Sequence, residues 1–285
     1  MKKPSQEKLI FQPNKELGQN FLFDKNYLCQ IVKNCSVEND TIIIEIGSGY
    51  GNLTNLLVET NCQKVISLEK DEKLFQWLKE NNQSDKISYL CQDALTINWE
   101  EFCSKYKKNS LIIVGNLPYY LTNSLIVNLL INYHLFKSLV FLVQKEVGQK
   151  WVSNPNKYSS KYSALSVFIN YLAETNLVFE VPRNFFNPIP EVDGALVVIN
   201  PLKNNNIKKE QLVSFLKFLK NCFRSRRKTL RNNLLAFSGS SELEWDNYFR
   251  EKDYQTKIRP QNLVPLEYYE LFIYWQKINK KSLQK

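Results

Sequence analysis

Five short runs of β-branched and aliphatic residues punctuate the first half of the chain: TIIIEI at 41–46, KVISL at 64–68, KISYL at 86–90, SLIIV at 110–114 and SLVFLV at 138–143. Each is too continuously apolar for one face to be wet, which is the pattern of strands covered on both sides of a sheet. Segments at helical spacing lie between them, the clearest being residues 71–81, with Leu74, Trp77 and Leu78 toward one side. Strand and helix in alternation predict βα units, because parallel neighbours need a crossover long enough to hold a helix. Two later runs, LVFEV at 177–181 and GALVVINP at 194–201, are separated only by a proline-rich turn. That turn is too short for a helical crossover, so these two are expected to pair antiparallel. The expected class is α/β: a mostly parallel, Rossmann-like sheet closed by an antiparallel hairpin.

Beyond the Asn/Lys-rich stretch LKNNNIKKEQ at 202–211 the period becomes helical. Phe215, Leu219, Cys222, Leu230 and Leu234 can share one apolar face, and residues 265–278 read as a closing amphipathic helix. The division expected is 1–202 for the α/β domain and 203–285 for a small α-helical domain. With 44% apolar residues in 285, the chain has enough material for both cores. Charge separates the two parts. Residues 1–202 hold 20 basic and 20 acidic side chains, whereas 203–285 hold 18 basic and 8 acidic, so the whole net charge of +10 belongs to the second part. Such asymmetry points to a polyanionic partner, with charge kept for solubility as the competing reading.

Several chemistries are excluded. His134 is the only histidine, which removes His-based triads, multi-His metal centres and the zinc deaminase pattern. The six cysteines have no C-x-x-C spacing and read as free, packed thiols of a reducing compartment. No metal site is expected. The N-terminal stretch has basic residues but no apolar core of a signal peptide, and no run approaches the roughly 18 apolar residues of a membrane span. A cytoplasmic protein is expected.

The stretch EIGSGYGNLT at 45–54 follows the first strand and opens a helix. Glycines there let the backbone turn tightly beside a ligand bound beyond the carboxyl ends of the strands. Glu69 stands 22 residues after Gly47, directly after the second strand, where a carboxylate can accept from both hydroxyls of a ribose. Asp93 holds the equivalent place after the third strand, suited to accept from an adenine amino group. A dinucleotide site would prefer a third glycine at position 52, but Asn52 is there. The arrangement instead resembles S-adenosylmethionine-dependent methyltransferases, which favours methyl transfer over hydride transfer.

The fourth strand ends in Asn116-Leu117-Pro118-Tyr119. This is similar to the N/D-P-P-Y motifs of methyltransferases that act on exocyclic amines of bases. An adenine amino nitrogen delocalises its lone pair into the ring, so it is a poor nucleophile until it moves toward tetrahedral geometry. Two acceptors aimed at its N–H bonds favour that change, the Asn116 side-chain oxygen and the Leu117 carbonyl. Pro118 fixes the turn, and Tyr119 can stack on the base. No strong general base is required, because the sulfonium methyl is already activated.

Further segments extend the resemblance over most of the chain, in order: KELGQNFLFD at 15–24, GNLPYYLT at 115–122, VQKEVGQK at 143–150, FNPIPEVDGALV at 186–197 and CFRSRRKTLRNNL at 222–234. Together they resemble the small-subunit ribosomal RNA adenine dimethyltransferases, the kasugamycin-susceptibility methyltransferase family. That resemblance implies a class I methyltransferase domain and N6,N6-dimethylation of two adjacent adenosines in the 3′-terminal hairpin loop of 16S rRNA, within a precursor of the 30S particle. It consumes four methyl groups from S-adenosylmethionine and is expected of a monomer.

Residue by residue, the resemblance implies that Asn20 and Leu22 close over the cofactor, with Gly47, Glu69, Asp93 and Asn116 completing its site. Phe186 would oppose Tyr119 across the target base. In the helical domain Arg224, Arg227, Lys228 and Arg231 recur at helical spacing and are expected to form one basic, phosphate-binding face, with a solvated surface helix as the competing reading. Ser48 stands where the family usually has Pro, and is expected only to relax the glycine turn. Tyr120 stands where it usually has Asn, and no role follows for it. A related large-subunit rRNA methyltransferase of the macrolide-resistance type and a non-catalytic ribosome-assembly factor are the rival readings.

Overall fold

The computed structural model describes residues 11–14, 17–106, 110–203, 205–238 and 242–282. Residues 1–10, Lys15 and Glu16 of the KELGQNFLFD stretch, and Asn204 of the stretch at 202–211 lie outside the described residues.

Along the chain the elements are β1 (Phe21–Leu22), α1 (Lys25–Lys33), β2 (Ile42–Ile46), α2 (Asn52–Val58), β3 (Lys64–Glu69), α3 (Glu72–Asn81) and β4 (Ile87–Cys91). Then come α4 (Trp99–Cys103), β5 (Leu111–Asn116), α5 (Thr122–Ile131), β6 (Phe136–Gln144), α6 (Lys145–Trp151) and α7 (Ala164–Leu172). The remainder is β7 (Ala173–Val181), β8 (Phe186–Asn187), β9 (Gly194–Pro201), α8 (Lys209–Cys222), α9 (Leu230–Ser238), α10 (Glu242–Glu251) and α11 (Pro265–Ser282).

Seven strands form one sheet in the order β4-β3-β2-β5-β6-β9-β7. β2 runs parallel to both β3 and β5, and β4 and β6 continue the parallel arrangement outward. β9 is antiparallel to β6, from Leu139 opposite Ile199 to Gln144 opposite Gly194, and lies between β6 and β7 as the expected terminal hairpin. The doubly covered strands follow from their composition: every residue of β2 is buried, as are Ile112, Ile113 and Val114 of β5. Burying side chains of this size is worth about 1.5–3 kcal/mol each, which fixes the centre of the sheet. Helix starts are specified locally. Asp24 caps α1 by accepting from the Asn26 and Tyr27 amides, and Asp71 caps α3 by accepting from the Lys73 and Leu74 amides. A separate two-stranded ribbon pairs β1 with β8, with Phe21 opposite Asn187 and Leu22 opposite Phe186. It joins segments about 165 residues apart in sequence.

The chain forms two compact units, Met1–Gly148 with Thr175–Lys203, and Gln149–Glu174 with Asn204–Lys285. This differs from a single cut at 202/203, because residues 149–174 belong with the C-terminal helices. The cause is apolar. α7 buries Val167, Phe168, Tyr171 and Leu172, Tyr171 stacks on Tyr269 with centroids 4.8 Å apart, and Phe168 lies against Phe215. The Tyr162 hydroxyl donates to the Leu263 carbonyl at 3.0 Å. Regrouping the residues sharpens the charge asymmetry: the first unit has 18 basic and 19 acidic residues, the second 20 and 9.

The expected basic helix face is not formed. Residues 223–229 are a turn between α8 and α9, so Arg224, Arg227 and Lys228 project from a loop and only Arg231 is helical. Buried Asn233 accounts for the break. Its Oδ1 accepts from the Ser225 amide at 3.0 Å, while its Nδ2 donates to the Ser225 carbonyl at 2.9 Å and the Thr229 carbonyl at 3.1 Å. These backbone groups are satisfied in the turn, so the chain can leave the helix without orphaning them.

Candidate active site

The carboxyl ends of β2, β3, β4 and β5 open on one pocket of about 880 Å³, counting its solvent-open mouth. At the end of β2 the backbone turns through Gly47 and Gly49, both with positive φ. Glycine is needed at 49 for a second reason: a Cβ there would sit 2.8 Å from the Phe21 ring. The Gly49 amide donates to Glu69 Oε2 at 2.9 Å, and the Asp71 amide donates to Oε1 at 2.9 Å. Glu69 is therefore a buried carboxylate with one amide on each oxygen, and burial raises its pKa. Each oxygen keeps a lone pair for a ligand hydroxyl.

Asp93, at the end of β4, accepts from the Leu95 amide and forms an ion pair with Lys70 at 2.9 Å. Partial burial alone would raise its pKa, but the Lys70 ammonium and the Leu95 amide outweigh it and hold the group below the usual range. Glu45, inside the all-apolar β2, is buried and accepts from the Thr54 hydroxyl. Desolvation lifts its pKa to about 7 despite that bond. Ser48 is buried and hydrogen-bonded to Ser67. Its hydroxyl thus joins the polar layer beneath the glycine turn, which goes beyond relaxing the turn.

On the opposite wall β5 ends in Gly115 and Asn116. A Cβ on Gly115 would collide with the Ile46 carbonyl, so only glycine lets β5 approach β2 there. The Asn116 Nδ2 donates to the Asn20 carbonyl at 2.8 Å, which leaves Oδ1 as the acceptor. The Leu117 amide donates to the Leu142 carbonyl at 2.9 Å, and the Leu121 amide donates to the Pro118 carbonyl at 3.1 Å. These bonds set the peptide plane of the turn. Tyr119 lines the pocket, its phenol pushed up to about 12 by desolvation and by Glu191 and Glu146. The phenol stays protonated near neutrality and is no base. Phe186 reaches the same pocket from β8.

Asn20, Gly47, Glu69, Asp93, Asn116, Leu117, Pro118, Tyr119 and Phe186 all line this one pocket. Leu22 does not line the pocket. Successive side chains of β1 point to opposite faces, so Phe21 turns to the pocket while Leu22 enters the core, its carbonyl accepting from Asn52 Nδ2. Phe21 and Lys70 line the site without having been singled out. Lys70, next to Glu69, was legible only as a surface lysine, and the glycine turn gives no hint that Phe21 covers it. Tyr120 is half exposed at the mouth, with its ring 3.6 Å from where a Cβ on Gly18 would lie. In the second unit Arg224, Arg227 and Lys228 are exposed. Arg231 is not available in the same way: it pairs with Asp246 through two bonds and with Glu242 at 3.3 Å, which hold its guanidinium protonated.

Sheet order, the antiparallel last hairpin and a pocket at the strand ends lined by Glu69, Asp93 and Asn116 define a class I methyltransferase, the class that uses S-adenosylmethionine. The family model for ribosomal RNA adenine dimethylase matches residues 10–277, and the chain belongs to that family. It is 36% identical to ribosomal RNA small subunit methyltransferase A of Mycoplasmopsis pulmonis, over 91% of this chain and 97% of that one. Identity to the protein of the same name from Clostridium botulinum is 33%, over 93% and 94%. Among solved structures, a dimethyladenosine transferase from Plasmodium falciparum aligns with a TM-score of 0.71 at 23% identity, covering 91% of this chain and 98% of that one. The 23S rRNA methyltransferase ErmE aligns with a TM-score of 0.68 at 22% identity, covering 90% and 99%. A dimethyladenosine transferase and a 23S rRNA methyltransferase therefore share this fold, and backbone likeness does not separate them.

Proposed function

We propose that this protein transfers methyl groups from S-adenosylmethionine to N6 of two adjacent adenosines in the 3′-terminal hairpin loop of 16S rRNA. The observation that carries this reading is the convergence of Glu69, Asp93 and the Asn116–Tyr119 turn in one pocket, in a chain of the rRNA adenine dimethylase family. The residues fit the cofactor. Glu69 offers two lone pairs, one on each amide-anchored oxygen, to adjacent ribose hydroxyls. Asp93 stays ionised and can accept from an adenine amino group.

When bound, the cofactor supplies an electrophilic methyl group. Asn116 Oδ1 and the Leu117 carbonyl accept from the two N–H bonds of the target amine and favour its tetrahedral geometry. Tyr119 and Phe186 hold the extruded base between them, with stacking worth on the order of 1–3 kcal/mol against the cost of extraction. Alignment of amine and methyl does most of the catalytic work, and such positioning is worth roughly 7–11 kcal/mol. The exposed Arg224, Arg227 and Lys228 contact RNA phosphates, whereas Arg231 is committed to Asp246. The substrate is a precursor of the small-subunit particle, and the enzyme acts as a cytoplasmic monomer. Incubation of purified small and large subunits with labelled cofactor tests the assignment. Label is expected in small-subunit RNA, and label confined to the large subunit would instead support the macrolide-resistance type of activity.

A further inference from the structure

Two stretches of the second unit carry no carboxylate. Between residues 149 and 173 and between 211 and 241 the sequence places ten Lys and Arg and not one Asp or Glu. The fold fastens a turn of the first stretch to the turn of the second. Arg226 donates from Nη1 to the Ser160 carbonyl at 2.6 Å and from Nη2 to the Ser159 carbonyl at 3.0 Å. The residues singled out for phosphate contact do not include Arg226, and its two bonds explain how it differs from Arg224 and Arg227.

The turn it grips is built rigidly. Asn154 Oδ1 accepts from the Asn156 and Lys157 amides at 2.9 and 2.8 Å, and the Lys161 amide donates to the Tyr158 carbonyl at 2.8 Å. Behind it, Asn170 Nδ2 donates to the Trp151 carbonyl at 2.8 Å and ties the turn's base to α7. What this frame displays is Tyr158, 37% exposed, with the Lys157 ammonium 5.6 Å from its ring centroid. Tyr158 has φ +53°, a left-handed conformation unfavourable for a residue with a Cβ. A large aromatic is thus held, against backbone preference, exposed beside a lysine ammonium.

We infer that the 154–161 turn is a second RNA-contacting surface, on which Tyr158 stacks against an unpaired base of the substrate. Lys157 takes a neighbouring phosphate, and Arg226 is the positioning residue that fixes the turn beside the exposed Arg227 and Lys228. An exposed ring beside a cation is the combination that single-stranded nucleic acid recognises, because every base offers a π-face and every linkage a charge. The absence of carboxylates from both stretches in sequence disfavours a basic protein partner. This inference rests on the proposed rRNA activity.

The test uses the full chain, purified small-subunit particles and the deproteinised RNA, with affinity measured over a salt series. Tyr158→Ala should weaken binding to both by about 5- to 150-fold, the range expected for one stacked base, and leave the salt slope unchanged. Tyr158→Phe should bind as the parent does. Lys157→Ala should lower the slope by about one. Arg226→Ala should weaken binding in the parent but have little further effect in the Tyr158→Ala background, with partial rescue by Arg226→Lys. Tyr158→Asn, which tolerates the left-handed backbone better, should keep or raise the melting temperature while weakening binding. Unchanged affinity of Tyr158→Ala beside an active parent would overturn the inference alone. Weakened binding to particles but not to RNA would assign the ring to a protein contact and also overturn it. A parent that neither binds nor methylates the particle would overturn the underlying activity instead.

Discussion

Replacing Asn116 separates two bonds made by one amide. In Asn116→Ala both the donor to the Asn20 carbonyl and the Oδ1 acceptor disappear. A single preorganised polar group at a reacting centre is worth about 10²–10³ in turnover, so the single-turnover methyl-transfer rate should fall by that factor. The bond to Asn20 is partly buried and spans 96 positions in sequence. Its loss is worth about 0.5–1.5 kcal/mol. It loosens the Asn20 segment at the pocket, which is proposed to close over the cofactor, so cofactor affinity should drop only about 2- to 12-fold, as that energy implies at 1.36 kcal/mol per decade. Asn116→Asp keeps the acceptor but sets a carboxylate against the Asn20 carbonyl, a mismatch relieved when the new side chain is protonated. Its rate, relative to the parent at each pH, should therefore rise as pH falls. The assays are labelled methyl transfer to small-subunit particles under single-turnover conditions and equilibrium cofactor binding. A rate for Asn116→Ala within twofold of the parent, or a loss confined to cofactor affinity, would refute the role given to Oδ1.

Glu45→Gln tests the buried carboxyl: its folded pKa of about 7 lies above the ordinary 4.5, so its stabilising contribution is complete below pH 4.5 and is lost as pH rises through 7. The gap amounts to roughly 3 kcal/mol. The variant should gain several degrees of melting temperature on the parent between pH 5 and pH 8, and a difference that does not change with pH would count against burial as the cause. Tyr119→Ala should reduce methyl transfer about 5- to 150-fold with cofactor affinity nearly unchanged, while Tyr119→Phe stays close to the parent; equal losses in both variants would point to the hydroxyl rather than the ring. Arg227→Ala should lower the salt slope of particle binding by about one, whereas Arg231→Ala should lower the melting temperature and leave the slope alone. The reverse pattern would return Arg231 to the RNA-binding surface.

The βα alternation and the strand ends were legible because burial on both faces writes continuous apolar runs, and because polar side chains at several successive ends of such runs are hard to explain together by turn chemistry, though any one of them could be. Glu69, Asp93 and Asn116 are of this kind. Hidden features depend on long-range pairing or on where side chains point. Leu22 and Phe21 are adjacent and both apolar, and only the pairing of β1 with β8 decides which of them faces the pocket. The turn at 223–229 contains no glycine or proline and keeps a helical period of cations, so nothing local announces the break that Asn233 imposes from within α9. The affiliation of residues 149–174 with the helical unit is likewise set by aromatic contacts to α8 and α11.

The most direct test of the central claim is to map N6,N6-dimethyladenosine along ribosomal RNA from cells with this protein, without it, and with Glu69→Ala in its place. Two adjacent dimethylated adenosines are expected in the 3′-terminal hairpin loop of 16S rRNA, present only with the unaltered protein. Dimethylation of that loop that persists without the protein, or protein-dependent dimethylation found only in 23S rRNA, would contradict the proposed activity.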